Sequence, residues 1–262
     1  MNRTFFYLCV FAACAPLILL LMLAIGVSWQ YPLLLPKAFS PEYFRYALFN
    51  APYTLKAVST TILLALFVSL LTLAVAVPAA KSLALYHFRG KEIIKLLVLA
   101  PLIVPAISVT TGIHISMIKL GLTGSFIGVA LIQCVFTLPY AIRIMTNVFE
   151  IIGDKYEKQA TVLGANAALI FFKITLPVIM PGILSAMTLC FTVSISQYIT
   201  TFIIGGGRII TITMLLIPFF QSGELQLMSV YSVMLVAAAL LSLFFIELAV
   251  RRFYNFETVI FI

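Results

Sequence analysis

Apolar runs of about 20 residues return six times along this chain, and nothing else in it constrains the fold so tightly. They lie roughly at 5–28, 57–80, 94–117, 125–146, 174–200 and 228–250. As a helix, each is long enough to cross about 30 Å of hydrocarbon. A helix is also the form that satisfies its own backbone N–H and C=O groups where no water can do so. With 63% hydrophobic and 9% charged residues and a mean hydropathy of +1.19, the chain has too little polar surface to be a soluble globule. The expectation is an all-α membrane protein with six transmembrane helices. The first run follows Arg3 and exceeds the roughly 7–15 apolar residues of a signal peptide, so it reads as an uncleaved anchor.

The lysines and arginines orient the spans. With the N-terminus inside, eleven of them (Arg3, Lys81, Arg89, Lys91, Lys95, Arg143, Lys155, Lys158, Lys173, Arg251, Arg252) are cytoplasmic. Five (Lys37, Arg45, Lys56, Lys119, Arg208) fall on the other side. This bias predicts cytoplasmic N- and C-termini. The net charge of +8 is therefore topology and attraction to the lipid bilayer rather than a nucleic-acid footprint, because no basic stripe with interleaved aromatics stands in a soluble domain. Cys9, Cys14, Cys134 and Cys190 all fall within runs and lack metal or CxxC spacing, so they read as small buried apolar residues, and no metal site is expected.

Between the runs, residues 29–56 mix aromatics with prolines, as an interfacial loop does. Gly124 and Gly128 form a GxxxG that could admit a close helix neighbour. In 201–227, Gly205, Gly206 and Gly207 break the fifth helix, and Ile209–Phe220 is too short to span, which suits an interfacial or re-entrant element. His114 in the third run has Ser108, Thr110 and Thr111 nearby to satisfy its ring, and Glu247 is spaced to pair with Arg251.

Residues 153–177 form a charged island in this apolar chain. Asp154 and Glu157 have capping-box spacing, Gly164 suits the left-handed position that ends a helix, and Asn166 suits the start of a second short helix. Ala160, Val162, Leu163 and Ala165 are more apolar than a solvated loop requires, which favours a docking element.

From Gly164 the spacing runs nine residues to Ile174, then Thr175, Leu176 and Pro177. With Ala160, this resembles the cytoplasmic EAA-type loop of permeases from binding-protein-dependent ABC importers, and the six-run topology matches over nearly the whole chain. The triplet departs from the family pattern: Lys158 and Gln159 stand where Glu and Ala are usual, and Glu157 lies one position early. The resemblance implies the type I ABC importer permease (MetI-like) architecture, with residues 1–262 as a single transmembrane permease domain and 147–173 as a cytoplasmic coupling loop. It further implies coupling to an ATPase subunit through Asp154, Glu157, Lys158, Gln159, Ala160, Gly164, Ile174, Leu176 and Pro177. The partners would be that ATPase, a second permease subunit and an extracytoplasmic substrate-binding protein, in a prokaryotic inner membrane. No phosphate-binding GxxxxGK[ST] occurs, so the chain is expected to be non-catalytic and without cofactor, with ATP and Mg used by the partner.

For the translocation path the candidates are Gln133, Thr137, Thr192, Ser196, Gln197, Tyr198 and Thr201. Ser185, Thr188, Thr192 and Ser196 lie on one stripe of the fifth helix, where small hydroxyl residues equally suit close helix packing. The resemblance is greatest to permeases for polyamines, thiamine and ferric iron. The alternatives are an ion-coupled secondary transporter, disfavoured by span interiors almost free of ionisable residues, and a non-transporting structural membrane subunit. A membrane enzyme would need a catalytic cluster that the two separated histidines do not supply.

Overall fold

The structure is a computed structural model that describes residues 3–27, 29 and 35–253. Helix α1 (Arg3–Ile25) leads into a minimal antiparallel pair, β1 (Gly26–Val27) and β2 (Ala38–Phe39). Then come α2 (Glu42–Arg45), a π turn (Tyr46–Asn50) and the long α3 (Thr54–Leu85). Four described helices are long and apolar enough to cross a membrane: Thr54–Leu85, Phe126–Ile152, Ala167–Ile195 and Leu225–Leu248. α1 is an apolar helix of 23 residues, the length the first run predicts for a span.

The third run is not one straight helix. It forms α4 (Lys91–Ile103) and α5 (Ala106–Lys119), bent by 102°. Pro105 supplies the cause. It disfavours helical geometry at the residue before it, and Val104 is extended at φ −85°, ψ 133°. α5 then restarts on the proline, whose carbonyl accepts from the amides of Ser108 and Val109. The hydroxyls of Thr110 and Thr111, expected near the His114 ring, donate to the carbonyls of Ala106 and Ile107 in their own helix.

α6 (Phe126–Ile152) starts on Ser125, whose hydroxyl accepts from Gly128 N at 3.0 Å. The GxxxG does not join two helices. Gly124 precedes α6 with φ 74°, and the space a Gly128 side chain would need is filled by the Leu122 carbonyl, 2.1 Å from an ideal Cβ. After α6 come α7 (Lys155–Val162), α8 (Ala167–Ile170), a π turn (Phe171–Thr175) and α9 (Leu176–Ile195). The fifth run ends at Ile195, sooner than expected, and α10 (Ile199–Gly205) follows. Gly206, at φ 53°, stops α10. α11 (Ile212–Ser222) is apolar and too short to span, as an interfacial element would be, and α12 (Leu225–Phe253) completes the order. The Arg251 side chain of the expected Glu247 pair lies outside the described residues.

The chain divides into two compact units, Met1–Thr61 with Ile210–Leu240, and Ile62–Ile209 with Leu241–Ile262. In the first, Thr54 and Tyr231 share a hydrogen bond of 3.0 Å, Tyr231 stacks on Phe219, and the Thr61 hydroxyl accepts from Ile212 N to start α11. The second unit holds two apolar cores. One centres on Met145, Phe149, Ile179 and Cys190, where α6 and α9 pack together. The other, around Val68, Ile132, Phe136 and Ile204, gathers α5 and α10 onto α6. Cys134 and Cys190 are buried free thiols, whereas Cys14 is exposed, contrary to expectation; the Cys9 side chain is outside the described residues.

Candidate functional site

The island folds as helix, glycine turn, helix. α6 ends at Gly153 (φ 67°), and α7 makes only two turns before Leu163. Its end is a Schellman turn. Gly164, at φ 84°, donates to the Thr161 carbonyl, and Ala165 donates to the Ala160 carbonyl. Asn166 then caps α8 by accepting from Leu169 N at 2.8 Å. α8 is not a separate loop helix as expected. It runs through the π turn into α9, so Ala167–Ile195 forms one apolar rod. The π turn sits just ahead of Pro177, which has no N–H to offer the Lys173 carbonyl, and the widened turn absorbs that break.

The expected capping box does not form. Asp154 has ψ 7°, away from the extended backbone an N-cap needs, and makes no capping bond. Its carboxylate pairs with Lys158 at 2.6 Å instead, on an exposed face. Glu157 turns the other way. Its carboxylate accepts from Lys81 Nζ at 2.6 and 2.8 Å and from the Thr175 hydroxyl at 2.6 Å. Three elements meet there: the end of α3, the first turn of α7 and the threshold of α9.

This arrangement gives α7 two faces. Ala160 is buried beneath it, and Ile174, Leu176 and Pro177 are half-buried at the base. Lys158, Gln159 and Gly164 are exposed, and Val162 and Leu163 are 87% and 86% exposed. Two neighbouring apolar side chains held open at a rigid turn cost solvation and suit a partner surface. No Cβ at Gly164 would touch anything within 4 Å, so this tip stands clear of its own chain.

The path candidates separate into two sets. Gln133, Thr137 and Thr201 are fully buried. Gln133 donates to the Thr201 hydroxyl at 3.0 Å and accepts from Ser194 at 2.6 Å, while Thr137 shares a 2.7 Å hydrogen bond with Thr72. They tie α3, α6, α9 and α10 together, with their polar atoms satisfied by protein. Ser185, Thr188, Thr192 and Ser196 are exposed along one face of α9. Three of those hydroxyls, on Ser185, Thr192 and Ser196, donate to carbonyls of their own helix. Gln197 faces a cavity of about 300 Å³ at the α4–α5 break, shared with Pro105, Phe136 and Tyr140. Tyr198 stacks on Phe202 with ring centres 5.5 Å apart. A second cavity, of about 590 Å³, opens between Ser185 and Thr188 of α9 and Glu247 of α12. Sequence reasoning missed Lys81 and Thr175. A lysine ending an otherwise apolar run was the available signal, but nothing local named its partner. Among the described residues no cluster of His, Cys, Asp or Glu could hold a metal ion.

Comparison with known proteins bears on this geometry. The profile of a family described as "binding-protein-dependent transport system inner membrane component" matches residues 73–255. The chain is 26% identical over 201 residues to the molybdenum transport system permease protein ModB of Mycobacterium tuberculosis, covering 72% of this chain and 71% of that one. It is 24% identical over 217 residues to the sulfate transport system permease protein CysT of Escherichia coli, covering 77% and 78%. Its fold is similar to a chain in the crystal structure of a bacterial ABC transporter involved in the import of the acidic polysaccharide alginate. The TM-score is 0.70 at 17% identity, over 97% of this chain and 95% of that one.

Proposed function

This chain belongs to the family of binding-protein-dependent transport system inner membrane components, and from that premise we propose how it works and what it carries. It is a multi-pass membrane permease subunit of an ABC importer, non-catalytic, with the ATPase on a separate chain. Its partners are that ATPase, a second permease and a substrate-binding protein.

α7 is the element that the ATPase subunit engages. The observation that carries this reading is the exposed Val162–Leu163 pair, presented by a closed Schellman turn on a helix whose other face is anchored by Ala160 and Glu157. ATP and Mg²⁺ act in the partner, and closure of its dimer pushes α7. Because α8, the π turn and α9 form one rod, a push at the turn travels directly into the fifth run. The exposed stripe Ser185, Thr188, Thr192 and Ser196 faces the second permease across the path, and Gln197 and Tyr198 lie at its outer end. Gln133, Thr137 and Thr201 act behind that face, holding its shape. The Lys/Arg bias places both termini in the cytoplasm.

The cargo is an oxyanion of the sulfate or molybdate kind. Likeness to ModB and CysT supports this, and so does charge. With the proposed orientation, the outer segments carry five basic side chains (Lys37, Arg45, Lys56, Lys119, Arg208) against two acidic ones, Glu42 and Glu224. No Asp or Glu occurs anywhere in 93–149 or 158–223. Such a field concentrates anions at the mouth and repels polycations. The test is reconstitution into liposomes with the ATPase and binding protein, followed by uptake of labelled sulfate, molybdate and putrescine. ATP-dependent oxyanion uptake is expected. Uptake of putrescine alone would move the cargo to the polyamine class, and no ATP-dependent uptake of any solute would refute the importer mechanism.

A further inference from the structure

We propose that Lys81, Glu157 and Thr175 form the joint that passes movement of α7 simultaneously into α3 and α9. The inference rests on the reading of α7 as the element the ATPase moves, and adds how that movement leaves it.

α7 is eight residues long, too short to be stable alone. Its peptide connections do not reach α3: it enters after Gly153, at positive φ where glycine is free to swivel, and the closed Gly164 turn leads onward to α9 alone. What remains are side-chain attachments. Ala160 packs beneath the helix, but an apolar contact slides. Glu157 is directional. Both of its carboxylate oxygens are used, Oε2 by Lys81 and Oε1 by Lys81 and Thr175 together. The side chains of Lys81 and Glu157 are only 29% and 22% exposed, so water and salt screen the pair less than a surface ion pair. Lys81 lies 76 residues before Glu157 and Thr175 lies 18 after it, so one carboxylate bridges elements that the chain connects only distantly.

The position of Thr175 adds a reason. It closes the π turn, an irregular stretch of the Ala167–Ile195 rod, two residues before Pro177. A tether there pulls on the part of the rod whose hydrogen bonding is already adjustable. The joint also gives sense to the altered triplet. Lys158, where the family's first glutamate is usual, is exposed and pairs with Asp154, while Glu157 one residue earlier faces inward. The carboxylate of this chain thus serves its own helices rather than the surface of the ATPase. Glu157, Lys81 and Thr175 are positioning residues in this scheme, since none touches cargo or nucleotide.

The experiment uses the complete importer in liposomes and reads solute moved per ATP hydrolysed, beside the amount of ATPase that co-purifies. Lys81→Met and Thr175→Val are expected to keep wild-type co-purification and lose about tenfold in solute per ATP, the factor one charge-assisted hydrogen bond is worth. Thr175→Ser should restore the ratio, and the double exchange Lys81→Glu with Glu157→Lys should recover more than either single exchange. Wild-type solute per ATP in both Lys81→Met and Thr175→Val would overturn the joint. So would transport lost only in step with co-purified ATPase, which marks a folding or docking role. A wild-type chain that fails to bind any ATPase would instead refute the reading of α7, so the two failures are distinguishable.

Discussion

Replacing Gly164 tests whether the conformation of the α7 turn matters, independently of the space around it. Its φ of 84° lies where an L side chain is disfavoured by about 1–2 kcal/mol. Nothing within 4 Å would meet an added Cβ, so inside this chain the cost is backbone strain alone. If the residue relaxes to negative φ, the two closing bonds, Gly164 N to Thr161 O and Ala165 N to Ala160 O, are lost at about 1 kcal/mol each. Both outcomes leave the turn less populated by about five- to thirtyfold, and Val162 and Leu163 no longer have a fixed direction. Asn tolerates the left-handed region although it is larger than Ala. The expected order of ATP-driven uptake in reconstituted liposomes is therefore Gly164, then Asn, then Ala, then Val. Gly164→Val that assembles and transports like wild type would refute the coupling role. Asn transporting worse than Ala would show that bulk against a partner, not backbone strain, sets the effect.

Leu163→Asp should leave the melting temperature of the purified chain unchanged, since the side chain is 86% exposed, but abolish co-purification with the ATPase. Gly128→Ala places a methyl 2.1 Å from the Leu122 carbonyl, and overpacking of that kind should cost about 1–3 kcal/mol, read as a lower melting temperature in detergent. Gln133→Ala removes the acceptor of the Ser194 hydroxyl in a fully buried site, while Thr201 keeps its bond to the Gln197 carbonyl, and leaving Ser194 unsatisfied should cost about 1–3 kcal/mol in the same assay. Gln133→Ala with unchanged stability would mean that water reaches this site, and would return it to the list of path residues.

Legibility from sequence followed the range of the forces involved. Gly164 and Asn166 occupy the positions their chemistry favours, because a helix terminus is decided within a few residues. Asp154 had the right spacing for a cap and failed, since Lys158 competes for its carboxylate and Glu157 is drawn to Lys81. The third run carried its own warning in Pro105, but hydropathy averages over a window and passes across a proline without registering it.

The sequence by itself determined that this is a helical membrane protein with a left-handed helix-ending turn at Gly164. Hydrocarbon length and backbone satisfaction act on each segment separately, and a left-handed turn needs only its own residues. Tertiary structure alone decided what the polar side chains do. Gln133, read as a path residue, binds Thr201 and Ser194 in the interior, and Glu157, read as half of a cap, joins α7 to α3 and α9. Those partners stand 18 to 76 residues away, and which of them a side chain meets depends on how the helix faces come together.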